Sequence, residues 1–399
     1  MILDAFRPEE QLLLRCVRTE PEGEQAEVIR VLLTSPLDWN YLLETTRHHR
    51  MIPLLYWCLK GTFAEYVPEQ TLESLRTGFR DNTLRNLSML HEIKSVTQIL
   101  AQAGIPAVPF KGVVLALQAY HHAALRVCRD IDLIVPHQYI HQAKDLLLKS
   151  GYQFHREYVG ADRSALYQQG SNAFPLVNSA NGLRLELHWR LMPELSIDSD
   201  YFWEKAAPQE YSGAKVLQFS PEDLILLLLI HGSKHLWSEL IWAVDVDQIL
   251  RHTKDIQWNR LLKLAQNWRV GRFVKVGALF CHTLLNSPIP EPIVKHCKED
   301  RVAVALCDRA QANTFASKLG EFSGHWANYQ MREGGRSKLQ YLGAQLINWK
   351  PSSRDIAFLP LPKPLRFLYP VVRMVRVPIQ YMGGLIKPRK RVKQIYHDR

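Results

Sequence analysis

At 399 residues, 47% of them apolar and 10% aromatic, the chain is too long for one ordinary domain and too rich in core-forming side chains to be disordered. The formal charge of +11 suggests a polyanion binder, but ten Lys/Arg against one acid between Lys363 and Arg399 put +9 of it in the tail and leave about +2 for the rest. This weakens any claim that the body binds nucleic acid, because a backbone footprint wants clustered Lys/Arg on the body itself. Six cysteines without close pairing, behind an N-terminus interrupted by Asp4, Arg7, Glu9 and Glu10, predict reduced thiols in a cytoplasmic protein. The longest aliphatic run, Leu224 to Ile230, is far short of the ~20 residues that span a bilayer and predicts a buried helix.

In chain order, "PEEQLLLRCVRT", "DWNYLLETTRHH" and the long stretch after Pro68 repeat apolar residues at three and four, which predicts helices up to Gly104. The texture then changes. "IPAVPF" (105–110) predicts a short strand, "VVLALQAYHH" a helix, "DIDLIV" (130–135) a strand, "QYIHQAKDLLLKSG" a helix, and "LRLELHWRL" (183–191) an alternating strand. After Pro221 helices return with "EDLILLLLIHGSKHLW", "ELIWAVDVDQILRH", "WNRLLKLAQNW" and "RFVKVGALFCHTLLN". The expected class is α+β or α/β, a small mixed-sheet core at 104–220 between a helical region at 1–103 and a helical domain at 221–354. A basic, apolar tail at 355–399 completes the division.

Chemistry concentrates in three places. In a strand, Asp130 and Asp132 point to one face about 6.6 Å apart while Ile131 and Leu133 pack on the other. Two carboxylates so placed make electrostatic sense around a divalent cation; the plainer reading is two solvated acids at a strand edge. In "LRLELHWRL", Glu186, His188 and Arg190 alternate with Leu185, Leu187 and Trp189. If this strand lies beside the first, Glu186 becomes a third carboxylate, enough to hold two Mg²⁺ about 4 Å apart for phosphoryl transfer. Otherwise it is an edge acid paired with Arg184 or Arg190. The third place is "PFKGVVLA", where Gly112 lets backbone amides approach a phosphate at a helix start and Lys111 adds a charge. Arg126 either contacts the same phosphates or neutralises Asp130.

The order of a Lys-Gly turn, a helix, "RVCRDIDLIV", a helix ending in Gly, and "LELHW" resembles the uncharacterised nucleotidyltransferase family of the polymerase-β-like superfamily. The likeness continues through "LLLLIHGSKHLWSELIWAVDVDQIL" and back through "HHRMIPLLYWCL", so it covers about residues 5 to 285. It implies metal-dependent transfer of a nucleoside monophosphate from an NTP to a hydroxyl-type acceptor, with pyrophosphate leaving. Asp130, Asp132 and Glu186 would hold Mg²⁺ or Mn²⁺, and Lys111, Gly112, Arg126 and Lys234 would bind the nucleotide. The superfamily's usual Gly-Ser is here Gly112-Val113, so phosphate binding leans on amides and cations. His231 and His235, one turn apart, form a cleft-lining face with His188 and Asp245, a His/Asp network, or a zinc pair. Trp237 and Trp242 read as core. The acceptor is a protein, peptide, tRNA or small molecule. Residues 363–399 suit an anionic membrane surface, an acidic partner or a nucleic acid, or else drape over the protein itself. The competing functions are a non-catalytic binding module and a toxin-like enzyme that modifies RNA.

Overall fold

Four short helices open the chain: α1 (Pro8–Arg15), α2 (Gly23–Leu33), α3 (Trp39–His48) and α4 (Ile52–Leu59). The side chain of Asp38 accepts the amide of Tyr41 and so caps α3. α5 (Glu69–Gln102) begins after Pro68 and runs for roughly 50 Å. Its inner stripe, Leu75, Met89, Ile93, Val96 and Leu100, is buried, and Gly104 at φ 70° takes the left-handed turn that ends it. The computed structural model describes residues 6–315, 321–347 and 358–376, apart from 20, 22, 156–171, 193, 194, 196, 212, 213 and 374.

Among the described residues, the sheet that follows has five strands in the order β1–β2–β5–β4–β3. These are β1 (Val108–Pro109), β2 (Ile131–Ile134), β3 (Tyr152–Phe154), β4 (Ala173–Asn178) and β5 (Arg184–His188), with α6 (Gly112–Tyr120) and α7 (Ile140–Lys149) between them. β2 and β5 run parallel, and every other neighbouring pair is antiparallel, so the sheet is mixed. Ile131, Leu133, Leu185 and Leu187 join Phe174, Trp189 and Met89, Ile93, Val96 and Leu100 of α5 in one buried cluster. Because side chains alternate, a slip of one residue would turn these leucines to solvent and the acids into the core. The register is thereby pinned.

The expected strands at 105–110, 130–135 and 183–191 are present in shortened form, whereas β3 and β4 have no counterpart in the alternation reading. β3 is three residues long and β4 carries Pro175, which gives neither a clear period of two. The hairpin of β6 (Ala207–Tyr211) and β7 (Ala214–Gln218) is likewise new. β5 lies inside the sheet, between β2 and β4. This removes the edge-strand reading of Glu186.

Beyond the hairpin come α9 (Pro221–Lys234), α10 (Leu240–His252) and α12 (Gly271–Leu285), with α8 (Ser199–Lys205) before and α11 (Trp258–Asn267) between them. The hydroxyl of Ser220 caps α9, Pro221 occupies its first turn, and all of Leu224–Ile230 is buried. A helix apolar on every side belongs inside a protein. α9 packs on α12, where Trp237 stacks on Phe280 with centroids 5.1 Å apart and planes at 13°. Added Cβ atoms at Gly232 and Gly277 would come within 2.4 Å and 2.8 Å of that indole, so both glycines make room for it. The six cysteines are free and buried. Among the described residues, no helix is long and apolar enough to cross a membrane.

Met1–Gly320 with Gln330–Glu333 form one compact unit, and Glu321–Tyr329 with Gly334–Arg399 a second. The helical region at 1–103 and the core at 104–220 share the first unit, because α5 supplies one wall of the sheet's core. In the second unit Trp326 stacks on Tyr329, and the Tyr369 hydroxyl accepts the amide of Leu361. Most of the expected basic tail, from 377 onward, lies outside the described residues.

Candidate active site

The parallel pairing of β2 with β5 sets Asp132 directly beside Glu186 and Ile134 beside His188. Nε2 of His188 lies 3.0 Å from Oδ1 of Asp132 and 3.3 Å from Oε2 of Glu186. An ionised carboxylate only accepts, so Nε2 carries the proton and bonds both acids. Nδ1 then accepts from the side-chain amide of Asn172 at 3.2 Å, and Phe110 meets the ring edge-on. Side-chain exposure rises from 7% at His188 through 13% at Asp132 to 44% at Glu186, so Glu186 forms the mouth.

Among the described residues, Asp132, Glu186 and His188 bring their ligand atoms within 4.8 Å of one another. Asp130 stands just before β2 and outside this tight group. Burial and the negative charges of Asp132 and Glu186 push its carboxyl up to about 6. Burial also opposes the charge on Asp132, but Lys111 and the hydrogen bond from His188 outweigh it and hold that acid at about 2. For His188, burial is likewise outweighed by its bonds to the two acids, which raise its pKa. Three partly buried acids with too little positive charge form a set of hard oxygen donors that a divalent cation would relieve. The donor chemistry therefore fits Mg²⁺ or Mn²⁺, and His188 serves the carboxylates by donating to them. The spacing Glu-x-His on one strand face, read as Asp-x-Asp was, is the signal that groups His188 with the acids.

The Lys-Gly turn closes on the same spot. Gly112 has φ +61°, and a Cβ there would lie 3.2 Å from the carbonyl oxygen of Asp130. Only glycine takes that backbone at so close an approach without strain. α6 therefore starts against β2, with no side chain capping its first amides, and an anion can take their place as acceptor. Lys111 precedes them, its Nζ 3.5 Å from Nδ1 of His231. Burial, then the charges of Lys111 and His235, push the His231 pKa well down, so a neutral ring accepts from the ammonium.

His231 and His235 face each other with centroids 4.8 Å apart, and neither belongs to the metal-ligand group found among the described residues. Lys234, between them in sequence, is half-buried and contributes to depressing His231. Ser233 turns inward and donates to the carbonyl of Phe273 at 2.7 Å. The "HGSKH" motif thus splits, with Gly232 and Ser233 toward the core and His231 toward Lys111.

Two expectations change. Arg126 neither lies free for a phosphate nor neutralises Asp130. Its Nε and an Nη each lie 2.9 Å from the carboxylate oxygens of Asp245. Asp245 is fully buried, also accepts from the Tyr120 hydroxyl at 2.7 Å, and so lines no cleft. Asn82 and Asn86 on α5 donate to the carbonyls of Ala123, Ala124 and Arg126, which fixes the segment leading into β2. Arg50 stands outside the three places where the sequence concentrates its chemistry. At φ 60° it forms an ion pair with Glu239 at 2.8 Å, and its charge, with that of Lys111, partly offsets the upward push on Asp130.

A five-stranded mixed sheet carrying adjacent acids, with a glycine turn closed over them, agrees with one family model, that of the uncharacterised nucleotidyltransferases, which matches residues 35–286. The protein is accordingly an enzyme of the nucleotidyltransferase class. It belongs to the uncharacterised nucleotidyltransferase family, and every site residue from Arg50 to Asp245 lies within the matched span. No curated protein and no solved structure matches the chain.

Proposed function

We propose that the enzyme transfers a nucleoside monophosphate from an NTP to a hydroxyl-type acceptor in a reaction that needs Mg²⁺ or Mn²⁺. The observation that carries this reading is the register of Asp132 beside Glu186, with His188 donating to both. Asp130, Asp132 and Glu186 would hold the cation. When bound, it withdraws charge from the phosphoryl oxygens and acidifies the attacking hydroxyl. The amides at the start of α6, with Lys111, would bind the outer phosphates. The acceptor oxygen bonds to the α-phosphorus, the bond to the bridging oxygen breaks, and pyrophosphate leaves with the electron pair. Glu186, the most exposed acid, would take the hydroxyl proton.

The test incubates the protein with each α-phosphate-labelled NTP, Mg²⁺ or Mn²⁺, and a cell lysate. Label should enter one molecular class, and calorimetry should find NTP binding only with the cation present. Equal NTP affinity in excess chelator would remove the cation from the mechanism. Tight binding without any transfer would favour the binding-module reading, which rests on Val113 standing where a serine is usual.

We further propose that the second unit docks on an anionic membrane surface. Leu359, Leu365, Phe367, Val371 and Val375 are exposed in a stretch whose sequence supplies cations, and apolar side chains serve a lipid surface where a phosphate backbone has no use for them. Co-sedimentation with phosphatidylserine vesicles should weaken as salt rises, since screening acts over about 8 Å at physiological ionic strength. Binding to RNA with none to vesicles would overturn this.

A further inference from the structure

Trp237 lies in the loop between α9 and α10 and Trp242 in the first turn of α10, and their surroundings differ. Trp237 is fully buried and has a parallel ring partner in Phe280. Trp242 is half-buried, and its ring partners among the described residues are histidines: His231 at 5.2 Å and 83°, and His235 at 5.2 Å and 41°. Among the described residues no ring lies parallel on the Trp242 indole. A core tryptophan does not need two imidazoles for neighbours, one of them in contact with a lysine. An aromatic face beside a cation is what a nucleotide uses, the face for its base and the cation for its phosphates.

The arrangement agrees with that use. Lys111 touches His231, and His231 touches Trp242, so the ammonium and the indole are both neighbours of one imidazole. A nucleotide's phosphates and its base are likewise both neighbours of one sugar. His231 is kept neutral by burial and by the Lys111 charge. A neutral ring can sit between base and phosphates without adding charge of its own. His235 is exposed, so solvent, and therefore a ligand, reaches this side of the indole. His231 stands in the last turn of α9 and His235 is its C-cap, while Gly232 and Ser233 turn to the core.

We infer that the indole of Trp242, walled by His231 and His235, is the platform on which the nucleobase of the NTP stacks, and that it favours purines. This rests on the reading of the acid site as an NTP site. A larger π-face gives a purine more stacking area than a pyrimidine, so the platform discriminates by contact area and not by hydrogen bonds.

The experiment measures the binding of ATP, CTP and inorganic tripolyphosphate to the full chain with Mn²⁺ by calorimetry, in wild type, Trp242→Ala and Trp242→Phe. In wild type ATP should bind more tightly than CTP. In Trp242→Ala, ATP should weaken roughly 10-fold, the ATP/CTP ratio should fall toward one, and tripolyphosphate should be unchanged. Trp242→Phe should recover most of the ATP affinity. Unchanged tripolyphosphate binding also reports that the variant is folded. Equal losses for ATP and tripolyphosphate would make Trp242 a support for Lys111 and overturn the inference. So would an unchanged ATP affinity, although the acid site would still stand as an NTP site. If wild type binds neither ATP nor tripolyphosphate with the cation, the NTP reading itself fails and takes the platform with it.

Discussion

Asp132→Asn should lower the transfer rate about 1,000-fold, close to 4 kcal/mol of lost transition-state stabilisation, and leave the fold intact. Asp132 is held in its charged form, down at about 2, and it faces both Glu186 and His188. Asparagine has nearly the same shape and keeps an oxygen to accept from His188, so only the charge is removed. Packing in β2 is supplied by Ile131 and Leu133, which face the other side of the sheet. The measurement pairs kcat with a thermal melt. A variant that melts like wild type but loses less than about tenfold in kcat would take Asp132 out of the cation site.

Asp245→Ala should destabilise the protein by about 3–5 kcal/mol, a drop of roughly 5 °C in Tm. The substitution leaves the Arg126 guanidinium and the Tyr120 hydroxyl in the core without the carboxylate that accepts from both. Burial alone would disfavour the charge on Arg126, and Asp245 more than restores it, which raises the Arg126 pKa. Replacing both partners with apolar residues, Arg126→Met with Asp245→Leu, should recover much of the loss, because no buried charge is then left unpaired. The same double variant tests the phosphate role first expected of Arg126. Retained NTP affinity agrees with a structural ion pair. A 100-fold loss in a folded double variant would mean that Arg126 leaves Asp245 to reach the nucleotide.

Much of the site is written locally. The alternations Asp-Ile-Asp and Glu-Leu-His assign acids and leucines to opposite faces of their strands, because the period of two is a property of the extended backbone. The Lys111–Gly112 turn is legible for a similar reason, since a glycine between a strand and a helix marks a close approach. Leu224–Ile230 announces a buried helix by having no polar side. Each of these depends on residues a few positions apart.

Other features depend on which distant segments meet. Arg126 lies four residues before Asp130, yet its partner is Asp245 on α10, brought there by the packing of α6 and α10 and by Asn82 and Asn86 on α5. Nothing within reach along the chain distinguishes that pairing from one with Asp130. Trp237 and Trp242 are five residues apart and chemically identical. Gly232 and Gly277, on two different helices, open a slot for one of them, and the other is left among histidines. His188 is a polar residue on the correct strand face in the sequence, and only the parallel register of β2 with β5 makes it a donor to two acids. The sequence by itself thus determined which faces are polar and where the turns fall, through backbone periodicity. Which carboxylate meets which cation, and which indole stays open, was decided by tertiary packing, because a charge or ring finds its partner across space.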